Sequence, residues 1–180
     1  MIHINYHNIT HDDMNNGNGL RVVLWLSGCS HHCYNCQNPQ TWDPEDGVPF
    51  DDDAYQELIT KLSKDYISGI TFSGGDPLYQ AKGFAELARA IKERTNKNIW
   101  CYTGFCFEQL LGNDDAIELL KYIDVLVDGP FIEAEKDEEL LFRGSRNQRL
   151  IDVQQSLCCR EVVLFDINNT TSIRRTTISK

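Results

Sequence analysis

Cys29, Cys33 and Cys36 fall in "GCSHHCYNCQN", residues 28–38, and this CxxxCxxC spacing lets one loop turn three thiolates toward one metal centre. Two chemistries compete for that centre. A structural zinc site needs a fourth protein ligand to close its tetrahedron, and His31 or His32 would have to supply it. Both histidines lie inside the Cys29–Cys33 loop, where a ring must fold back over its own backbone to reach the same ion. A 4Fe-4S cube takes one thiolate per iron, so three cysteines without a good local fourth leave one iron open to a small molecule. The remaining cysteines, Cys101, Cys106, Cys158 and Cys159, lack ligand spacing and read as small apolar packing residues.

Such a loop needs rigid elements to carry it. Short runs rich in β-branched and aromatic residues recur at "VVLWLS" (22–27), "GITFS" (69–73), "NIWCY" (98–102), "DVLVD" (124–128) and "EVVLFDI" (161–167), and each reads as a strand. Between them, helical spacing puts Ala54, Leu58, Ile59 and Leu62 on one face of 52–64. It does the same for Phe84, Leu87, Ala88 and Ile91 within 80–94, and for Ile117 and Leu120 within 114–122. Alternating strands and helices imply an α/β fold with a parallel sheet and right-handed crossovers. A closed eight-unit barrel takes about 250 residues. The expectation for 180 residues is therefore one domain over 1–180, built as a partial, open-sided (β/α) barrel or a curved open sheet. In that domain 157–180 supplies a last strand and a fraying polar tail. Functional loops should gather at the carboxyl ends of the strands, and the polar punctuation obeys this: "SGCSHHC", "SGGDP", "TGF" and "DGPF" each follow a strand.

Composition narrows the function. The apolar runs are far too short to span a bilayer, and "MIHINYHNITHDD" has neither a basic start nor an apolar export core, so the expected location is the cytoplasm. Seven cysteines, an odd number, suit metal or redox chemistry in a reducing compartment better than a disulfide framework. A formal net charge of −10 opposes the basic surface that phosphate-backbone binding requires, so neither nucleic acid nor membrane is an expected partner.

Taken together, "NGNGLRVVLWLSGCSHHCYNCQNPQTWD", "GITFSGGDPL", "NIWCYTGF", "DVLVDGPF" and "RGSRNQR" resemble the radical S-adenosylmethionine superfamily. Within it they are most similar to the activating proteins of anaerobic ribonucleoside-triphosphate reductase. The ordered blocks run from about residue 15 to 156. The resemblance implies a partial barrel of the radical S-adenosylmethionine type. It also implies that Cys29, Cys33 and Cys36 hold a 4Fe-4S cluster whose open iron is chelated by the amino and carboxylate groups of S-adenosylmethionine. One electron then cleaves the sulfonium, and a hydrogen atom is taken from a glycine on the large subunit of the reductase. The cofactors carry the chemistry, so no side chain is assigned as a catalytic group. Reduced flavodoxin or ferredoxin is the implied electron donor.

Further positions gain expected roles in holding the cofactor. Tyr34, Asn35 and Gln37 flank the cysteine ligands, with backbone or side chain against it. Gly74 and Gly75 permit close backbone approach, while Ser73 and Asp76 offer partners for its methionine ammonium. Thr103, Gly104 and Asp128 fall at the same edge. Arg143, Arg146 and Arg149 suit either the cofactor carboxylate or an acidic patch on the partner. Gly17-Asn18-Gly19 departs from the family, which often has a proline in the middle of that turn. Rival readings are a radical enzyme acting on a pterin-like small molecule, the activase of another glycyl-radical enzyme such as pyruvate formate-lyase, and a zinc-binding interaction module. Some larger activases carry an additional cysteine-rich cluster insert, and none lies between Cys36 and Cys101.

Overall fold

Period-two alternation along the central strands sends neighbouring side chains to two different surfaces, and this sorting organises the molecule. The computed structural model describes residues 4–168. The nine residues Asn5–Asp13 form β1, Arg21–Leu26 form β2, and Val48–Pro49 form the short β3. Gly69–Gly74 form β4, Asn98–Tyr102 β5, Val125–Asp128 β6 and Arg149–Asp152 β7. They make one seven-stranded sheet in the order β3-β1-β2-β4-β5-β6-β7. The four central strands β2, β4, β5 and β6 pair in parallel, and β1, β3 and β7 join antiparallel.

Along β2, Val22, Leu24 and Leu26 enter the larger core, as do Ile70 and Phe72 from β4 and Ile99 and Cys101 from β5. That core is completed by the helices α1 (Asp52–Leu62), α2 (Ala81–Arg94) and α4 (Asp114–Leu120), with the single turn α3 (Phe107–Leu110) contributing Phe107 and Leu110. Two of these helices start where the chain supplies a capping side chain. Asp51 caps α1 by accepting from the Ala54 N–H at 2.9 Å, and Asn113 caps α4 through the Ala116 N–H at 3.1 Å. Asp52 and Asp53 complement the positive end of the α1 dipole. The alternate residues of the strands form a second, smaller cluster of Trp100, Val125, Val127 and Leu150 with Phe165. Arg21, Thr71 and Ser73 are buried alongside those strands.

The α/β expectation therefore holds as one mixed sheet rather than a purely parallel one. β1, "NYHNITHDD", escapes a hydrophobicity reading because, flanked on one side only by the two-residue β3, it buries Ile9 and leaves its other residues partly or fully exposed. The strand expected at 161–167 is corrected. Between β7 and this segment comes α5 (Val153–Cys159), which ends at Arg160 with φ 59°, a left-handed turn that breaks regular pairing. The chain then pairs with β7 as the single bridge Ile151–Leu164, with the Phe165 N–H donating to the Leu150 carbonyl at 2.8 Å, and the Phe165 ring packs edge-on against Trp100 at 5.5 Å. The polar tail expected beyond it lies outside the described residues. Among the described residues no helix is long and apolar enough to cross a membrane.

Candidate functional site

The carboxyl ends of β2, β4 and β5 open onto a cleft of about 570 Å³. Its walls include Cys29, Cys33, Cys36 and Gln37 from the loop after β2, Ser73–Asp76 at the end of β4 and just beyond it, and Tyr102–Gly104 likewise at β5. Phe131 and the segment 138–144 close the far side. The sequence brings these loops together because three parallel neighbours must end at one edge.

Backbone contacts set the loops against each other. The N–H groups of Gly75 and Asp76 donate to Leu26 and Gly28 carbonyls at 2.9 and 2.8 Å, while Gly28 and Cys29 donate to Thr41 and Trp42 at 2.8 and 3.0 Å. A Cβ at Gly75 would come within 2.5 Å of the Gly28 carbonyl oxygen. The close approach made at Gly75 is thus by the cysteine loop itself, and a side chain there would push the cysteines. Gly74 sits at φ +96°, where an L side chain is strained.

Asp76 joins three loops. Its buried carboxylate accepts from the Thr103 hydroxyl and the Gly104 N–H, both at 2.9 Å, and its Oδ2 lies 2.8 Å from His31 Nε2. Its other oxygen caps the following turn through the Leu78 N–H at 2.9 Å. Gly104 makes room for the histidine, since a Cβ there would stand 2.4 Å from the His31 ring. His31 also packs edge-on against Phe105 at 4.4 Å. His32 instead packs against Trp42 at 4.7 Å. Both histidines that a zinc reading would recruit are engaged away from the thiols. Among the described residues, no three His, Cys, Asp or Glu side chains close on a single ion.

A cube instead asks for one thiol per iron on one wall, and the donor set fits it. All three cysteines of the loop are half-buried and free. Burial pushes the Cys29 thiol above its ordinary range; backbone N–H groups of His31 and His32 oppose the rise, and Asp76 and Cys33 add to it. Iron ligation would displace that proton. Cys36 Sγ accepts from the Asn38 N–H at 3.4 Å. By contrast, Cys101 is fully buried in the core, and burial holds its thiol well above the usual range. Cys106 caps α3, and Cys158 and Cys159 are exposed on α5.

Not every expected residue reaches the cleft. Tyr34 is 77% exposed, Asn35 turns through φ +54°, and neither side chain lines the cavity. Asp128 is buried behind the wall. It accepts from the Phe107 N–H at 2.8 Å and from Arg149 Nε at 3.0 Å, and the next residue, Gly129, is the one that lines the cleft. The Arg149 guanidinium also forks onto Glu108 at 3.0 and 2.8 Å, which holds the Glu108 carboxyl down to about 2. Arg146 pairs with Asp137 at the surface. Of the three arginines only Arg143 lines the cleft. Sequence reasoning missed His31 as a link between loops, and it missed the contribution of Tyr102, Phe131 and 138–142. No local signal marks these residues, because the contacts that place them are long-range.

The 4Fe-4S single cluster domain family matches residues 15–151. The chain is similar to the anaerobic ribonucleoside-triphosphate reductase-activating protein of Enterobacteria phage T4, with 42% identity covering 82% of this chain and 93% of the relative. Proteins of the same name from Haemophilus influenzae and Escherichia coli K12 are 40% and 38% identical, each match covering 81% of this chain and 96% of the relative.

Proposed function

The chain belongs to the family of anaerobic ribonucleoside-triphosphate reductase-activating proteins, and from that premise we propose how its residues divide the work. It is an activase, whose partner is the reductase. With a 4Fe-4S cluster and S-adenosylmethionine, it generates a glycyl radical on that enzyme by reductive cleavage of the cofactor. When bound, the two cofactors supply one-electron cleavage of the sulfonium and the abstraction of a hydrogen atom.

The chain's own residues bind, orient and enclose. Cys29, Cys33 and Cys36 would each hold an iron. Ser73, Gly74, Gly75 and Gln37 would border the amino-acid end of S-adenosylmethionine, and Tyr34 and Asn35 would contribute backbone beside the cluster. Asp76 and Thr103 fix the three loops as one rigid wall, and Asp128 acts from behind it by holding α3 and Arg149. The observation that carries this reading is that the three thiols and the Ser73–Asp76 loop share one cleft at the carboxyl edge of the parallel strands. The 180 residues act as one domain, an open-sided partial barrel whose gap admits a glycine-bearing loop of the reductase large subunit. The electron comes from reduced flavodoxin or ferredoxin, in the cytoplasm, where seven free thiols persist.

The test is to mix anaerobically reconstituted protein, S-adenosylmethionine and a reductant with the reductase, and to look for a glycyl doublet by electron paramagnetic resonance. Reductase carrying deuterium at glycine Cα should pass it to the 5′-deoxyadenosine released. A radical formed with deuterium-free product would overturn direct abstraction.

A further inference from the structure

We infer that Arg143 is the anchor for the carboxylate of S-adenosylmethionine, presented to the cleft by a locked turn at Phe142; the inference rests on the activase reading above. Arg143 is, among the described residues, the one lysine or arginine lining the cleft, and it forms no ion pair there. Its Nη1 donates to the Gln148 carbonyl at 3.2 Å, whereas its Nε is buried with no partner. A buried N–H on a charged group left without an acceptor is costly, and native structures retain such groups where something else accepts from them.

The turn that holds this group is itself unfavourable. Phe142 has φ +60°, a left-handed conformation in which a bulky aromatic is an outlier. Its neighbours enforce it. The Tyr102 hydroxyl donates to the Phe142 carbonyl at 2.8 Å, and the Phe142 ring packs edge-on against Trp100 at 5.3 Å. On the other side of Arg143, Gln148 Oε1 accepts from the Gly144 and Ser145 N–H groups at 2.8 and 3.2 Å. Gln148 is in turn tied to the Gly129 carbonyl at 3.0 Å. The backbone is therefore fixed on both sides of Arg143 before any ligand arrives, and the guanidinium itself is held by the Gln148 carbonyl.

The chemistry of the cleft selects what that ligand group is. A guanidinium fork matches a carboxylate. S-adenosylmethionine carries one carboxylate beside a sulfonium and an ammonium. The other charged side chains on the wall, Asp76, Glu138 and Glu139, are acids, which suit the two cationic groups and repel an anion. Arg143 alone reverses that sign.

The experiment compares S-adenosylmethionine with its decarboxylated analogue, measuring binding by calorimetry to anaerobically reconstituted wild type, Arg143→Ala and Arg143→Lys, with iron content and thermal melting as controls. Arg143→Ala should weaken S-adenosylmethionine about 10- to 100-fold, with the analogue changed less than about threefold and iron unchanged. Arg143→Lys, which keeps the charge and loses the fork, should fall between. Equal weakening of both ligands would show that Arg143 shapes the pocket and does not hold the carboxylate. Unchanged S-adenosylmethionine binding in Arg143→Ala, with only reductase activation lost, would assign the arginine to an acid on the partner. Either result overturns the proposal while wild type binds the cofactor. A wild type that holds iron and binds no S-adenosylmethionine would instead overturn the activase reading beneath it.

Discussion

Two arginines at opposite ends of the parallel strands face opposite situations. Arg21, at the amino end of β2, is fully buried, and its guanidinium is surrounded by acceptors. Nε donates to the Thr71 hydroxyl at 2.7 Å, Nη1 to Asn98 Oδ1 and the Asn18 carbonyl at 2.8 and 3.0 Å, and Nη2 to the Ile70 carbonyl at 2.6 Å. The guanidinium also sits 5.3 Å from the Trp100 ring. With no carboxylate in contact, burial pulls its pKa down to about 9. Arg143, at the carboxyl edge, has one carbonyl partner and a buried Nε with none. The same side chain is closed off at the foot of the sheet and left incomplete at its mouth. For these two arginines, the fold completes Arg21 and leaves Arg143 a donor short at the edge where a ligand would enter.

The largest expected effect lies wholly at the mouth. Replacing any one of Cys29, Cys33 or Cys36 with alanine should take iron in reconstituted protein to background and abolish the reductase radical, because under the proposed assignment each thiolate holds its own iron. The combined variant Cys101→Ala, Cys106→Ser, Cys158→Ser, Cys159→Ser touches the core, a helix cap and an exposed helix end, and should keep its iron and charge-transfer absorbance. Loss of about half the iron or more from that variant would reveal a ligand outside the loop, and the division between mouth and scaffold would fail.

Next in size is the exchange between the two arginines. Arg21→Ala strips four acceptors of their donor, the Thr71 hydroxyl and Ile70 carbonyl among them in buried contacts, and opens a cavity beneath Trp100, so unfolding free energy should drop by about 3 kcal/mol or more. Arg143→Ala removes a group with a single carbonyl acceptor, and should change stability by less than about 1 kcal/mol while it weakens cofactor binding. Urea titrations of the two apoproteins under reducing conditions measure both numbers. Equal destabilisation by both variants would erase the contrast on which the reading of the cleft rests.

That contrast was only partly legible in the sequence, for a physical reason. β2, β4, β5 and β6 stand out because strands buried on both faces demand continuous apolar runs, and three of the loops after them carry cysteine, glycine or acid in positions the cleft uses. β7 hides inside "RNQRLID", where two core residues are too few to show a period, and "EVVLFDI" has the composition of a strand without its pairing. Arg143, Arg146 and Arg149 look equivalent in "RGSRNQR". Only the fold separates them, by giving Arg149 two acids from other elements, Arg146 a surface partner and Arg143 the cleft. At Tyr34 and Asn35 adjacency in the chain does not carry over to the cleft lining, and it leaves their backbone as the part that can stand beside the cysteines.

Arg149 supplies the third case and the smallest effect. It is neither sealed like Arg21 nor left short like Arg143, for two carboxylates bracket it, one buried at Asp128 and one 57% exposed at Glu108. The Arg149 hydrogen bonds depress the Glu108 carboxyl from 4.5 to about 2 in the folded protein. A carboxyl whose folded pKa lies below its unfolded value contributes stability that is present above the unfolded value and is lost as pH falls through the folded one. The window for Glu108 is therefore pH 4.5 down to about 2. Solvent screens a pair with one exposed partner, so the contribution at neutral pH should stay under about 1 kcal/mol. Glu108→Gln keeps the shape and removes the charge. It should leave iron and cofactor binding untouched, lower stability slightly at pH 7, and converge with wild type as the pH is taken down through that window. Matched urea titrations between pH 7 and pH 3 follow the difference. A gap that widens toward acid would mean that Glu108 is not the partner whose charge Arg149 uses, and would leave the buried Asp128 as the sole carboxylate steadying the wall behind the cleft.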